Sequence, residues 1–371
     1  MKEGKTLLPL LLALGPSVAM HPQIAGTATP PAIVSGLLSS RAIAFNPVSG
    51  KVYAVDTLRG AVIVIDGKTH VSRQVPVGAG PVSLAINSRT NRVYVANNGA
   101  GSMSVLDGVT DTVLTTLDVG RTPYVLAADE VANRVYVSNT FSGAIRVFDG
   151  ATNTMHLVQA GSADKIVIDA KHHAIYLLGY EGGHVTVIDG QTEAIRRMPV
   201  GDLHLWDLSL EPDTEVTYVA RIGRGDVIAL DRYGKVGVPV KTGRMPCATS
   251  LDEVRRLLYV ANYEDDTVTV IDLAQGAAIA TVPVGPHPQA IAADPQANLI
   301  YVANMHGDSI SVIDGAQKKV VATLKAGRHP YALTVDTQNG TVYAADFDAD
   351  AVTAVDVRDL RENAMRPAAH L

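Results

Sequence analysis

The apolar residues of this chain fall into short runs, many of them alternating with polar residues, and the same four runs return along its length. One tyrosine marks the return. Tyr53, Tyr94, Tyr136, Tyr176, Tyr218, Tyr259, Tyr301 and Tyr343 follow one another every 40 to 42 residues, in the phrases VYAVD, VYVAN, VYVSN, IYLLG, TYVAR, LYVAN, IYVAN and VYAAD. A run such as SLAIN or AIAAD precedes each tyrosine, a run such as VIVID or ISVID follows it, and a run such as TTLDV or ATVPV closes most units before a glycine. β-Branched runs separated by Asn, Asp, Gly and Pro predict strands, and Asp66-Gly67, Asp107-Gly108, Asp149-Gly150, Asp189-Gly190 and Asp314-Gly315 predict tight turns after the third strand. Four strands in a period of this length make a propeller blade. A parallel β-helix has shorter coils, and the 3.6-residue period of a helical solenoid is absent.

The prediction is therefore an all-β, eight-bladed β-propeller of four-stranded antiparallel blades. The last unit carries three strands and then runs into the charged stretch Arg358-Asp359-Leu360-Arg361-Glu362-Asn363, which is not strand-like. An orphan strand, Ala32-Ile33-Val34-Ser35-Gly36, precedes the first unit. We expect it to close the ring as the outermost strand of blade eight, which would remove an exposed seam. A seven-bladed ring with a degenerate extra unit is the rival. The division predicted is a leader over 1–19, a linker over 20–31, one propeller domain over 32–360 and a tail over 361–371.

The phrases VYVAN and VTVID resemble the YVTN-type β-propeller repeats over roughly residues 32–357. That resemblance implies architecture and little about activity, because related blades serve binding proteins, surface-layer proteins and redox-enzyme subunits.

Composition narrows the setting. A formal net charge of −6 argues against a general polyanion binder, so nucleic acid is not an expected partner. Lys2 and Lys5, the apolar run Leu7 to Leu14 and the small residues Ser17-Val18-Ala19 read as a signal peptide. They predict a periplasmic or secreted protein, with no transmembrane segment after cleavage. Cys247 is the only cysteine, so no internal disulfide forms.

Propeller geometry places the interblade loops and the loops between second and third strands on one face, around the channel mouth. In the interblade loops lie Arg41, Gly80-Pro81, Arg121-Thr122-Pro123-Tyr124, Lys165, His204, Arg244-Met245-Pro246-Cys247, His287-Pro288 and Arg328-His329-Pro330-Tyr331. The facing loops add Asn139 with Phe141, Tyr180 with Glu181, Arg221 with Arg224, Tyr263 with Asp265, Met305 with His306, and Phe347 with Asp348. Arg41, Arg121, Lys165, Arg221, Arg244 and Arg328 would attract an anion, with Tyr124, His204 and Tyr331 offering stacking or hydrogen-bonding surface. The leading expectation is a cell-envelope protein that binds a small anionic or aromatic molecule, or an envelope protein partner, at this funnel.

Two alternatives use the same face. A lactonase- or lyase-like enzyme would take His287 or His329 as general base and Arg244 to stabilise developing negative charge. A metal or haem protein would draw on Met245, Cys247, His287, His306 and His329, since imidazole, thioether and thiolate favour copper or haem iron. Against the latter, these residues show no local spacing of a metal motif, and a histidine before proline also serves as a plain repeat variant. Eight blades, Pro286-His287-Pro288 and Asn304-Met305-His306-Gly307-Asp308 resemble the haem d1-binding propellers of cytochrome cd1-type nitrite reductases and their maturation relatives. That resemblance implies a haem contact for His287. No Cys-x-x-Cys-His is present, which excludes a covalent c-type haem. Asp346, Asp348 and Asp350 alternate without the rest of a calcium loop and read as a solvated acidic turn. Trp206 is expected to fill core, with plugging the channel or stacking on a ligand as the alternative.

Overall fold

The structure is a computed structural model that describes residues 42–140, 142–179, 182–348 and 351–366. Its strands form eight antiparallel sheets, each a meander in sequence order. Blade two shows the pattern, with Pro81–Asn87 innermost, then Arg92–Asn97, Ser102–Asp107 and Val113–Asp118. Seven sheets have four strands. The eighth, Pro330–Asp336, Thr341–Asp346 and Ala351–Asp356, has three among the described residues. The closing strand expected over 32–36 lies outside the described residues, as do the leader, Arg41, Phe141, Tyr180, Glu181 and Asp350.

The ring closes within the described residues all the same. The innermost strand of each blade packs on those of its neighbours, and that of blade one, Ile43–Asn46, packs on that of blade eight. The Phe45 N–H donates to Thr334 Oγ1 at 3.1 Å across this seam. The periodic tyrosine explains its own recurrence here. It sits buried in the second strand, and in blades one and eight its hydroxyl bonds the turn of the next blade. Tyr53 donates to Asp111 Oδ1 at 2.8 Å, and Tyr343 reaches His70 Nδ1 in blade one at 3.0 Å. Each such ring removes a large apolar surface from water and fixes the angle between two sheets.

The Asp-Gly turns behave as expected from their chemistry. Asp66 Oδ1 accepts the N–H groups of Lys68 and Thr69 at 3.0 and 2.8 Å, and these backbone bonds hold the Asp66 carboxyl below its ordinary range. After blade eight the chain forms a helix, Arg358–Met365. Its Arg361 is buried and reaches back to Asp294 Oδ2 at 2.6 Å and to the Thr337 carbonyl at 2.8 Å. Among the described residues no helix is long and apolar enough to cross a membrane.

Candidate functional site

On the funnel face of blades two, three, six, seven and eight, a recurring backbone hydrogen bond ties the interblade loop to the loop after the second strand. The Tyr263 N–H donates to the Met245 carbonyl at 3.0 Å, Met305 to His287 at 2.8 Å, and Phe347 to His329 at 2.9 Å. The same bond joins Asn98 to Gly80 and Thr140 to Thr122. The acceptor residue is left-handed each time, with φ of 60° at Gly80, 51° at Thr122, 55° at Met245, and 54° at His287 and at His329. A side chain in that conformation costs about 1–2 kcal/mol, and a following proline disfavours it further. Glycine fits at no cost in blade two, yet blades seven and eight carry histidine. Aspartates hold both strained backbones in place: His287 N–H donates to Asp266 Oδ1 at 2.8 Å and His329 N–H to Asp308 Oδ1 at 2.9 Å.

These constraints bring three histidines and a tyrosine together. His287 lies 4.3 Å from His306 between ring centroids, His306 lies 5.2 Å from His329, and Tyr263 meets His287 at 4.6 Å, all edge to face. Partial burial, then the neighbouring His287 and His329, push the His306 pKa below its ordinary value. His329 Nδ1 is 2.6 Å from Asp348 Oδ2, which orients the ring and leaves Nε2 for another partner. His287 Nδ1 is buried and has no hydrogen-bond partner. The sequence period set His287 and His329 at equivalent positions and His306 on the facing loop, and the structure places His306 between the two.

Other expected members are turned away. Every proline-led innermost strand, and that of blade five, opens with a bulge at its second residue: Val82, Tyr124, Trp206, Cys247, Gln289 and Tyr331. A bulge re-aims the side chain it carries. Cys247 is thereby buried, with Sγ 3.1 Å from the Pro288 carbonyl of the next blade, and burial pushes its thiol pKa far up. Met245 keeps its place in the loop, but among the described residues no group of three or more His, Cys, Asp or Glu side chains could hold a metal ion. Tyr331 is likewise buried, edge-on to Phe347 at 6.2 Å, and Tyr124 is half-buried against the core of blades three and four. Trp206 goes the other way. It is 38% exposed on the innermost strand, so it does not fill core.

The expected ring of cations is mostly neutralised. Lys165 is ion-paired to Asp207 of the next blade. Arg221 is buried and bidentate to Asp226, at 2.7 and 3.0 Å, a charged version of the Asn262–Thr267 pair in blade six. Arg221 therefore does not face a ligand. Arg244 is clasped by Asp265 at 2.6 Å and by the Glu264 carbonyl at 2.9 Å, and Arg224 by Asp202 at 3.0 Å. His204 stands apart in blade five, its Nδ1 4.0 Å from Asp202. Arg121 and Arg328 are exposed and pair with no carboxylate among the described residues.

Asp346 departs from the solvated acidic turn expected of it. It is fully buried, at the position held by Asn97, Asn139, Asn262 and Asn304 in other blades. Its Oδ2 accepts from Thr353 at 2.5 Å and Oδ1 has no partner. Burial raises its pKa to about 7.

The fold and this face can be set beside known proteins. The family model for a YNCE-like β-propeller matches residues 18–336. No curated protein matches the chain. Among solved structures, Kuenenia stuttgartiensis hydrazine synthase is similar over 76% of this chain and 97% of that one, with a TM-score of 0.59 and 18% identity. The dihydro-haem d1 dehydrogenase NirN, in complex with DHE, is similar over 90% of this chain and 76% of that one, with a TM-score of 0.73 and 16% identity. Saccharomyces cerevisiae Sqt1 reaches the same TM-score, 0.73, at 8% identity, over 89% of this chain and 99% of that one. At such identities the likeness is one of fold.

Proposed function

This chain belongs to the YNCE-like β-propeller family, and on that premise we propose that it is a binding propeller whose funnel takes a planar aromatic ligand with acidic groups at blades six to eight. The observation that carries this reading is the contiguous stack of Tyr263, His287, His306 and His329. Two of its members are kept in a left-handed conformation where another blade uses glycine. Strain held at side chains that do not build the blade points to use. Arg328, beside His329 and without a carboxylate partner among the described residues, supplies charge for an acidic substituent. The N-terminal sequence supports export, which would put the site in the periplasm or outside the cell.

A haem falls within this ligand class, and the fold likeness to NirN in complex with DHE supports including it. The residues present fit a macrocycle better than a copper centre. A haem iron needs one imidazole from the protein, and His329 has the carboxylate partner that metal-bound histidines use. Copper would need several donors to converge, and Cys247 is turned into the blade interface, while among the described residues no group of three or more His, Cys, Asp or Glu could hold a metal ion. A bound haem would supply its own redox and optical chemistry, while the chain orients it.

One experiment tests the reading. The exported protein is titrated with haemin and with metal-free protoporphyrin, following the Soret band. His329→Gly removes the imidazole and suits the left-handed backbone, so the blade still folds. Saturable binding that weakens about tenfold in H329G supports the reading. Absence of binding by either macrocycle sinks it. The His329–Asp348 pair favours a second reading, a general base for ester or lactone opening. Hydrolysis of a lactone panel, abolished by His329→Gly and slowed by Asp348→Asn, would establish that instead.

A further inference from the structure

We propose that a second site, between blades two and three, binds a small oxyanion such as a phosphate or carboxylate group through Arg121 and Arg146. It lies across the ring from the histidine stack and does not depend on it. The blades act as controls for one another. The motif Gly-Arg-x-Pro occurs at Gly120–Pro123, Gly243–Pro246 and Gly327–Pro330. In blade six, Asp265 stands three residues after the strand-end Asn262 and clasps Arg244 by its side chain and its N–H, at 2.6 and 2.7 Å. In blade three, Ser142 stands three residues after Asn139, and its hydroxyl serves its own loop instead. Arg121 thus keeps the position of Arg244 without its acid.

Arg146 breaks the repeat at a second place. The same register position holds Ser104, Thr269, Ser311 and Thr353 in blades two, six, seven and eight. There a hydroxyl meets the strand-end Asn or Asp, as Asn97 Nδ2 meets Ser104 Oγ at 2.9 Å. In blade three Asn139 donates to the Val119 and Arg121 carbonyls, at 2.7 and 2.8 Å, and fixes the interblade loop. The half-buried Arg146 guanidinium packs under that loop against Gly120. A methyl group on Gly120 would come within 3.0 Å of Arg146 Nη2, and φ is 79° there, so both space and backbone call for glycine. Neither arginine meets a carboxylate among the described residues, and a half-buried guanidinium without one is costly.

Beside Arg121 lies a cleft of about 550 Å³, lined by Gly99, Gly101, Gly120, Arg121, Thr122 and Asp118 among others, and Arg146 packs on the Gly120 of its wall. Asp118 is the one acid in the lining, and its Oδ1 accepts the Gly120 N–H at 2.7 Å. Arg121 in the lining and Arg146 packed on Gly120 set two guanidiniums at this loop against one carboxylate. Planar guanidiniums bind oxyanions through paired, charge-assisted bonds.

The test is isothermal titration of the exported protein with inorganic phosphate and, separately, with succinate, at constant chloride ionic strength. Saturable binding of one or both, weakened about tenfold or more by Arg121→Gln and by Arg146→Lys, is the expected result, and the two titrants separate phosphate from carboxylate recognition. Arg121 is exposed and Arg146→Lys retains charge, so both variants keep the fold. Arg197→Gln, on the outer strand of blade four, should leave binding unchanged. Binding of neither anion to the unaltered protein, or equal binding by all variants, overturns the proposal.

Discussion

Asp346→Asn should flatten the dependence of stability on pH. Asp346 is fully buried, accepts from Thr353 at 2.5 Å, and leaves Oδ1 without a partner. Its pKa rises from an ordinary value of 3.8 to about 7 because burial penalises the charged form. Below the ordinary value both folded and unfolded chains hold the proton. Between there and about 7 the folded chain holds it and the unfolded chain does not, so stability falls as pH rises, by about 1.4 kcal/mol per pH unit. Across the whole interval the loss approaches about 4 kcal/mol, and it is complete above the folded pKa. Asparagine is uncharged throughout and is what blades two, three, six and seven carry at this position. Calorimetric melts of both proteins from pH 5 to pH 9 should coincide most closely at the acid end. They should separate progressively to pH 8, with the variant melting higher by several degrees. Parallel curves, or a gap that widens towards acid, would refute the assignment of a protonated buried carboxyl.

Three further outcomes follow from other parts of the ring. Arg361→Met leaves Asp294 buried without its cation and should lower stability by about 3–5 kcal/mol, read as a drop in melting temperature; an unchanged midpoint would mean that the C-terminal helix is not docked. Cys247 should resist maleimide in the folded protein and react once guanidinium unfolds it, because its Sγ points into the blade interface; rapid native labelling would place it back at the funnel. Protein recovered from an expressing bacterium should begin after Ala19, as N-terminal sequencing would show; retention of Met1 would overturn export.

Much of the fold is legible in the sequence because a propeller repeats its local chemistry. The Asp-Gly turns and the Pro-led strands act within a few residues of themselves, and the tyrosine of blades one and eight makes the same contact one blade on, so their period is the blade count. The same period aligns His287 with His329 and sets His306 on the facing loop, so the members of the stack can be named from the repeat alone. The direction of a side chain beside a bulge is not legible. Pro246, Pro288 and Pro330 announce the strand start, but the bulge that follows is a matter of pairing register, and it sends Cys247 and Tyr331 inward. Lys165–Asp207 joins residues in separate blades, beyond the reach of any local pattern. Arg221–Asp226 could have been found. The two residues occupy the positions of Asn262 and Thr267, and opposite charges in place of a polar pair mark a buried ion pair.

Function enters a repeat protein where the repeat breaks. A position that only builds the blade must satisfy similar neighbours eight times, so it draws on small hydroxyl or apolar residues, as Ser104, Thr186, Thr269, Ser311 and Thr353 do beside Ile63 and Ile228. A position given another task leaves that set and keeps the strain or unmatched charge its new side chain brings. His287 and His329 sit where glycine fits, Arg146 sits where a hydroxyl belongs, and Asp346 replaces an amide. None of these improves the packing of its blade. Arg146 and Asp346 are the sharper cases, since a charge or a titrating carboxyl in a half-buried or buried slot is destabilising unless something outside the blade offsets it. Removing Arg146 should therefore stabilise the ring or leave it unchanged while costing binding. Removing Arg361 or a repeat tyrosine should do the reverse. This opposition separates site from scaffold whatever the ligand proves to be.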